Sequence, residues 1–473
     1  MRYLLSILLL LPDLLWAQHP FSGKNFFVVM GHVDHSQRKY LELGLTTYLN
    51  YSGDSLAIDP KGNFSGRFPM EGGVQELSLR FRDTSLNIYV QSGDTIDVRW
   101  NDTAVARGIF VRNMDPGHDR GLQAVLLLRK LYSNEYMGLN AALFTKGQSD
   151  SAKFARVNDF FTRQMTTLSA QNLDSFAFRK LGADIYYECT RSLLFARLLP
   201  EYSLKAEGYS YLTLSEEDFH NSYDYRNFLF DYLRVGRRLL NGFRMEGTPE
   251  ERKAKLVRFS APLDDYYDAL ANVKIYEVRD WFITSSIMFD FEEYGFDDAV
   301  QVYQDFITKV RVGDYADTLR SFYAAEQRLK PGASAPGFTL TDEYGRTVSL
   351  RDFRGNVVMI DFWGVGCGPC MNDIRENLPP IHDKYKDKKV VFLNICVDSE
   401  TDAWKKCLAG AHLTGVNLLA MGWTRNPVCQ AYGINVIPHY CLIDAEGKMA
   451  VNNLMMPDMV NKIDAALSKV TGR

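Results

Sequence analysis

Cysteine is scarce in this chain, at seven residues in 473. An odd count that low cannot staple a fold of this length, so a disulfide scaffold is excluded. Histidine is scarce too, at eight. The single Cys-x-x-Cys has no second pair and no His pair at finger spacing, so half the ligand set of a structural zinc is missing and no metal is expected. Positive charge is not in excess: 54 Lys and Arg stand against 58 Asp and Glu, for a net charge of -4. No strongly basic face is implied, and nucleic acid is not an expected partner. Beyond the first residues no apolar run reaches the ~18 residues that span a bilayer. What is present is an ordinary composition, 46% hydrophobic and 24% charged. The chain is too long for one core, which points to two or three domains. The 13% of aromatic residues reads first as cores and interfaces.

The texture changes along the chain. Met1-Arg2-Tyr3 and the apolar residues 4–11 and 14–15, closing at Trp16-Ala17, read as a secretory signal peptide over 1–17. A retained amphipathic anchor is the competing reading. Residues 18–115 hold short alternating runs such as Leu77, Leu79, Phe81 and Ile96, Val98, Trp100, separated by turns, which predicts an antiparallel β-sandwich. Within it, His32 and His35 lack a third ligand and read as surface-loop residues. Over 118–329 turn signals thin out and apolar residues recur at helical spacing, as in Leu122, Leu126, Leu127 and Leu131, which predicts a packed helical region. Residues 330–337, "KPGASAPG", read as a linker. From 338 to 473 strand patterns alternate with helical ones, with hairpins around Tyr344-Gly345 and Glu446-Gly447, which predicts an α/β domain. In it, residues 371–386, 402–411 and 457–470 are expected as helices.

The chemistry concentrates in "DFWGVGCGPC", residues 361–370. A disulfide across two residues makes a small, reducible ring, a poor staple and a good redox switch. Cys367 stands where the buried strand 357–363 gives way to a helix. A thiolate there is favoured by unpaired N–H groups and the helix dipole. Pro369 suits the first helical turn. Cys367 is thus the expected nucleophile and Cys370 the resolving thiol. Asp361, on the strand feeding them, is placed to take the Cys370 proton if burial raises its pKa. Cys396 and Cys441 read as buried strand residues and Cys189 as a helix-face core residue. A disulfide between Cys407 and Cys429 is conceivable in an oxidising compartment.

Residues 331–473 resemble the thioredoxin superfamily, in its exported thiol–disulfide reductase branch, called TlpA-like or ResA-like. The resemblance is carried in order by "APGFTLTDEYGRTVSL", "VVMIDFWGVGCGPC", "VVFLNICVD" and "YGINVIPHYCLIDAEGK". It implies a thioredoxin-like fold and a redox-active Cys367–Cys370 pair. It also implies a cis-proline loop at Ile437-Pro438 that, with Trp363, meets the substrate. Two positions depart from the pattern. Gly366 stands where thioredoxins carry Trp. His439 follows the proline, where a protonated ring could lower the Cys367 pKa or do nothing of the kind. Residues 18–115, through "NIYVQSGDTIDVRW", resemble the β-rich domain fused to such reductases in Bacteroidetes-type bacteria.

The resemblance implies an exported thiol–disulfide oxidoreductase of the periplasm or cell envelope, reducing protein or peptide disulfides. It would need no cofactor and would draw electrons from a membrane donor. A peroxiredoxin-like peroxidase is a second reading, weakened because Gly364 occupies the place of the threonine that orients the peroxide. A third reading is a surface or periplasmic binding protein whose thioredoxin-like part is accessory.

Overall fold

The computed structural model describes residues 25–471 except 37–39, 50, 71, 82–84, 104–107, 144–146, 200, 237–261, 294–295, 412, 424–425 and 455. The expected signal peptide, 1–17, lies outside the described residues.

The described residues open with eight strands: β1 (Phe26–Asp34), β2 (Tyr40–Thr46), β3 (Tyr51–Ala57), β4 (Asn63–Pro69), β5 (Val74–Arg80), β6 (Ser85–Gln91), β7 (Thr95–Asn101) and β8 (Phe110–Asn113). They form two four-stranded sheets, ordered β4-β1-β7-β8 and β3-β2-β5-β6. Alternate side chains such as Val29, Leu43, Leu79 and Val98 meet in one apolar cluster drawn from both sheets. The expected all-antiparallel pairing fails at one place, because β1 and β7 run parallel. Parallel neighbours need a long crossover, and here it runs through β2 to β6, which include all four strands of the second sheet. His32 lies on β1 and not in a loop, with its ring held by Asn63 at 2.9 Å and Asp34 at 3.2 Å. Among the described residues no cluster of potential ligands could hold a metal.

Among the described residues nine α-helices follow: α1 (Pro116–Leu143), α2 (Asp150–Ser169), α3 (Ser175–Phe195), α4 (Glu216–Asn221), α5 (Tyr223–Asp231), α6 (Pro262–Asn272), α7 (Tyr276–Glu293), α8 (Phe296–Phe306) and α9 (Gly313–Leu329). Several begin on a side-chain cap: Ser149, Asp174, Ser215 and Ser222 each accept an N–H of the first turn. Their buried faces form one large cluster in which Cys189 is fully enclosed. Strands and helices are joined by specific contacts. Tyr48 stacks on Phe219 at 5.6 Å, and its backbone carbonyl accepts from Trp281 Nε1 at 2.7 Å. Lys180, wholly buried on α3, reaches Glu76 of β5 at 3.0 Å and Asp184 at 2.6 Å.

The last third is a seven-stranded mixed sheet: β9 (Thr339–Asp342), β10 (Thr347–Ser349), β11 (Val357–Trp363), β12 (Val390–Cys396), β13 (Val416–Leu419), β14 (His439–Ile443) and β15 (Met449–Val451). Their order is β10-β9-β13-β12-β11-β14-β15. Strand β13 was not apparent in the sequence because only four residues pair and they follow a helix closely. The helix expected over 371–386 is three pieces: α10 (Gly368–Asn372), a π-turn (Asp373–Asn377) and α11 (Leu378–Tyr385). The tandem prolines at 379 and 380 cannot donate to the preceding turn, so the ladder is re-set there. Helices α12 (Thr401–Ala411), α13 (Pro427–Tyr432) and α14 (Met459–Thr471) complete the layers.

The stretch 330–337 is strapped down rather than loose. Gly332 N donates to Met449 O at 2.7 Å, Met449 N to Ala333 O at 2.8 Å and Ala335 N to Gly447 O at 3.1 Å. Leu329, the end of α9, is buried in a core cluster of this sheet.

Replacing Lys180 by Met leaves Glu76 and Asp184 without their buried cation, a change that costs about 3 kcal/mol in such settings. Urea unfolding followed by tryptophan fluorescence should show the strand–helix part of the chain losing stability first. An unchanged midpoint would mean that this pair does not join the two parts.

Candidate active site

Strand β11 is buried at all seven positions, and its alternation divides two cores. Val358, Ile360 and Phe362 enter one cluster, and Val357, Met359 and Trp363 enter the other, which also contains Cys370. Asp361 belongs by this alternation to the Cys370 face. It pairs with Asn394 on one side and Tyr440 on the other. Only 1% of its surface is exposed, and neither carboxyl oxygen has a hydrogen-bond partner. Burial pushes its pKa up to about 8, and the charge of Asp373 adds to the shift.

Cys367 caps the N-terminus of α10. Its sulfur accepts the Cys370 N–H at 3.1 Å and is joined to Cys370 in a disulfide with Cα atoms 5.3 Å apart. Cys370 is almost fully buried, while Cys367 is half-buried. The Ile437-Pro438 peptide is cis, as the resemblance implied. The Ile437 carbonyl oxygen lies 3.7 Å from the Cys367 sulfur, so the loop after α13 and the loop after β11 meet at Cys367. Just upstream, Val436 is 70% exposed.

Two of the expected site residues stand elsewhere. Trp363 is completely buried in the core beneath Cys370, so it supports the motif from below and presents no surface to a substrate. His439 pairs with Phe362, on the sheet face opposite Asp361. Burial drives its pKa down to about 4, only partly countered by hydrogen bonds to Asn452. The ring is neutral at pH 7 and supplies no positive charge to a Cys367 thiolate.

The remaining thiols are free, four of them buried and Cys407 half-buried. Cys407 and Cys429 are both free and belong to clusters on opposite faces of the sheet, so the conceivable disulfide between them does not form. Cys396 and Cys441 lie on strands separated by β11. Burial pushes both thiol pKa values up, as it pushes Cys429 up to about 12. Gly364 has no room for a side chain: an added Cβ would sit 2.4 Å from Asp398 Oδ2 and 2.8 Å from Ile437 Cδ1. The threonine of a peroxidatic site does not fit there.

Sequence reasoning missed three polar groups. Tyr440 donates to Asp373 Oδ2 at 2.9 Å, beside Asp361. Asp398 accepts backbone N–H groups from the loop before Cys367. The only available signal for Asp398 was its place at the end of "VVFLNICVD".

The Redoxin family profile matches residues 330–467. Among curated proteins, this chain is similar to the thiol-disulfide oxidoreductase ResA of Bacillus thuringiensis, 28% identical over 152 residues, covering 32% of this chain and 85% of the relative. It is similar to ResA of Geobacillus thermodenitrificans at 30% identity over 131 residues, covering 27% of this chain and 72% of the relative. Among solved structures it is similar to the thioredoxin domain of a thiol-disulfide oxidoreductase from Bacteroides vulgatus, at 30% identity, covering 29% of this chain and 99% of that one, with a TM-score of 0.28.

The raised Asp361 pKa sets a pH dependence for the oxidised protein. An unfolded aspartate ionises near about 3.9, whereas folded Asp361 holds its proton to about 8. Its contribution is therefore fully present below about pH 4, falls as pH rises through this window, and levels off above about pH 8. Asp361→Asn removes the penalty, so the variant should gain a few kcal/mol over wild type at pH 8.5 and little at pH 4. Urea melts at the two pH values check this; equal gains at both would place the titration elsewhere.

Proposed function

Through its C-terminal third the chain belongs to the ResA-like thiol–disulfide oxidoreductases of the thioredoxin superfamily, and on that premise we propose that it reduces disulfides of protein or peptide substrates through Cys367 and Cys370. In the reduced enzyme the Cys367 thiolate, favoured at its helix N-cap, attacks one sulfur of the partner's disulfide. A mixed disulfide forms and the partner's other sulfur leaves as a thiolate. Cys370 then loses its proton and attacks the Cys367 sulfur. The Cys367–Cys370 disulfide forms, and the partner leaves with both sulfurs reduced. Two electrons pass from the enzyme dithiol to the partner.

The observation that carries this reading is the unpartnered carboxyl of Asp361 on the same face as Cys370. Burial holds the Asp361 pKa up to about 8, which makes its carboxylate a stronger base for the Cys370 proton than an ordinary aspartate. A carboxyl left without hydrogen bonds in a core is costly to keep, and proton transfer gives it a use. The exposed edge at Val436 and the Ile437 carbonyl support docking of an extended substrate strand beside Cys367.

The direction is reductive in this reading. Gly-Pro between the cysteines resembles the reducing branch. Residues 1–17 would carry the chain out of the cytoplasm. In an oxidising compartment the pair rests as the disulfide, so a membrane dithiol donor would reset it. The β-rich and helical parts would then choose or hold substrates.

The test is turnover of a peptide disulfide by the reduced full chain. Cys367→Ser should abolish it, and Cys370→Ser should accumulate the mixed disulfide on Cys367, visible by mass spectrometry. Asp361→Asn should slow the resolving step by ~10²-fold and flatten its rise between pH 7 and 9. Full activity in the double cysteine variant would move the function to the β-rich and helical parts.

A further inference from the structure

The loop ahead of the nucleophile is held from the far end of β12. Val365 N donates to Asp398 Oδ1 at 2.8 Å, and Gly366 N donates to Oδ2 at 2.9 Å. One carboxylate thus grips two consecutive amides immediately before Cys367. It is itself held, because the Ser399 hydroxyl donates to Oδ1 at 2.6 Å and the Cys396 thiol lies 3.6 Å from the same oxygen. Charge-assisted bonds to backbone N–H groups are the stronger kind, and two from one group fix direction as well as distance.

Gly364 shows how closely the three parts fit. Its missing Cβ would fall between the Asp398 carboxylate, at 2.4 Å, and Ile437 Cδ1, at 2.8 Å. Asp398, Gly364 and Ile437 therefore stand in contact order, with Cys367 three residues beyond Gly364 and its sulfur 3.7 Å from the Ile437 oxygen. The spacing between the nucleophile's loop and the cis-proline loop is set at this contact.

We propose that Asp398 is a positioning residue for thiol–disulfide exchange: by holding the Val365 and Gly366 amides it sets the gap between Cys367 and Ile437 that a substrate strand enters, and Gly364 is what lets it approach. This rests on the exchange reading above. A charge consequence follows. A carboxylate next to the nucleophile opposes the thiolate that the helix N-terminus favours. Its field also reaches Cys396 and Cys407, whose thiols are pushed up first by burial and then by Asp398. Other titratable groups around the pair include Asp361, Asp373 and Tyr440 on the Cys370 face, and His439, neutral, on the opposite face of the sheet.

The experiment uses the reduced full chain as wild type, Asp398→Asn, Asp398→Ala and Gly364→Ala. Two quantities are read. The first is the pH midpoint of Cys367 alkylation by iodoacetamide, followed on the Cys367 peptide by mass spectrometry. The second is turnover of a peptide disulfide against turnover of a small aromatic disulfide, with dithiothreitol as reductant. Asp398→Asn should lower the alkylation midpoint, with up to about tenfold more thiolate at a given pH. Asp398→Ala and Gly364→Ala should raise KM for the peptide disulfide about tenfold, with kcat within about twofold and the small disulfide little affected, as for lost positioning. An Asp398→Asn protein that folds normally and shows neither a shifted midpoint nor a raised KM overturns the proposal, whatever the two other variants do. A wild type that turns over no disulfide, while Asp398→Asn still shifts the midpoint, would instead overturn the exchange reading and leave the hold on Cys367 standing.

Discussion

Everything at the site follows from one constraint: β11 is a strand with no solvent face. It lies between β12 and β14 and is covered by an apolar layer on each side. All seven of its side chains are buried. Such a strand gives its last residue a fixed place and direction, and the chain must leave it at the sheet's edge. The turn that follows delivers Cys367 to a helix N-terminus at the surface, while Cys370, one turn on, returns to the core. The two sulfurs differ in depth below this edge, with Cys370 buried and Cys367 only half-buried.

The same constraint forces a polar residue into an apolar layer. Asp361 sits on β11 where a hydrocarbon side chain would be stabilising, and it has no hydrogen bond in compensation. Asp398, at the matching end of the neighbouring strand, is treated in the opposite way, because its oxygens meet two backbone amides and a serine hydroxyl. One carboxyl is thus held with a raised pKa by burial. The other is kept in place. The two tasks are separated by hydrogen bonding, not by residue type.

The first two-thirds of the chain are not hung on a free tether. Helix α9 ends in the core of the last sheet through Leu329, and the next residues run as an added edge along β15. The β sheets are in turn fastened to the helices through Lys180 and Tyr48. A partner that reaches Cys367 therefore approaches an arrangement whose parts hold one another.

Much of this was legible in the residues themselves. The apolar run into "CGPC", the proline after Ile437 and the alternation over residues 338–473 are local patterns, and periodicity and turn chemistry read local patterns well. They marked Cys367, Cys370 and Asp361, while the cis-proline loop at Ile437-Pro438 was implied by the family resemblance. What they could not supply was which side chains share a space. Trp363 is expected to meet the substrate but is buried because its strand is covered on both faces. His439 reads as a possible cation and is neutral because burial outweighs its hydrogen bonds. The parallel pairing of β1 with β7, and the grip of Asp398 on a loop more than thirty residues upstream, depend on contacts between distant segments. No short window contains such contacts, so only the tertiary structure could decide them.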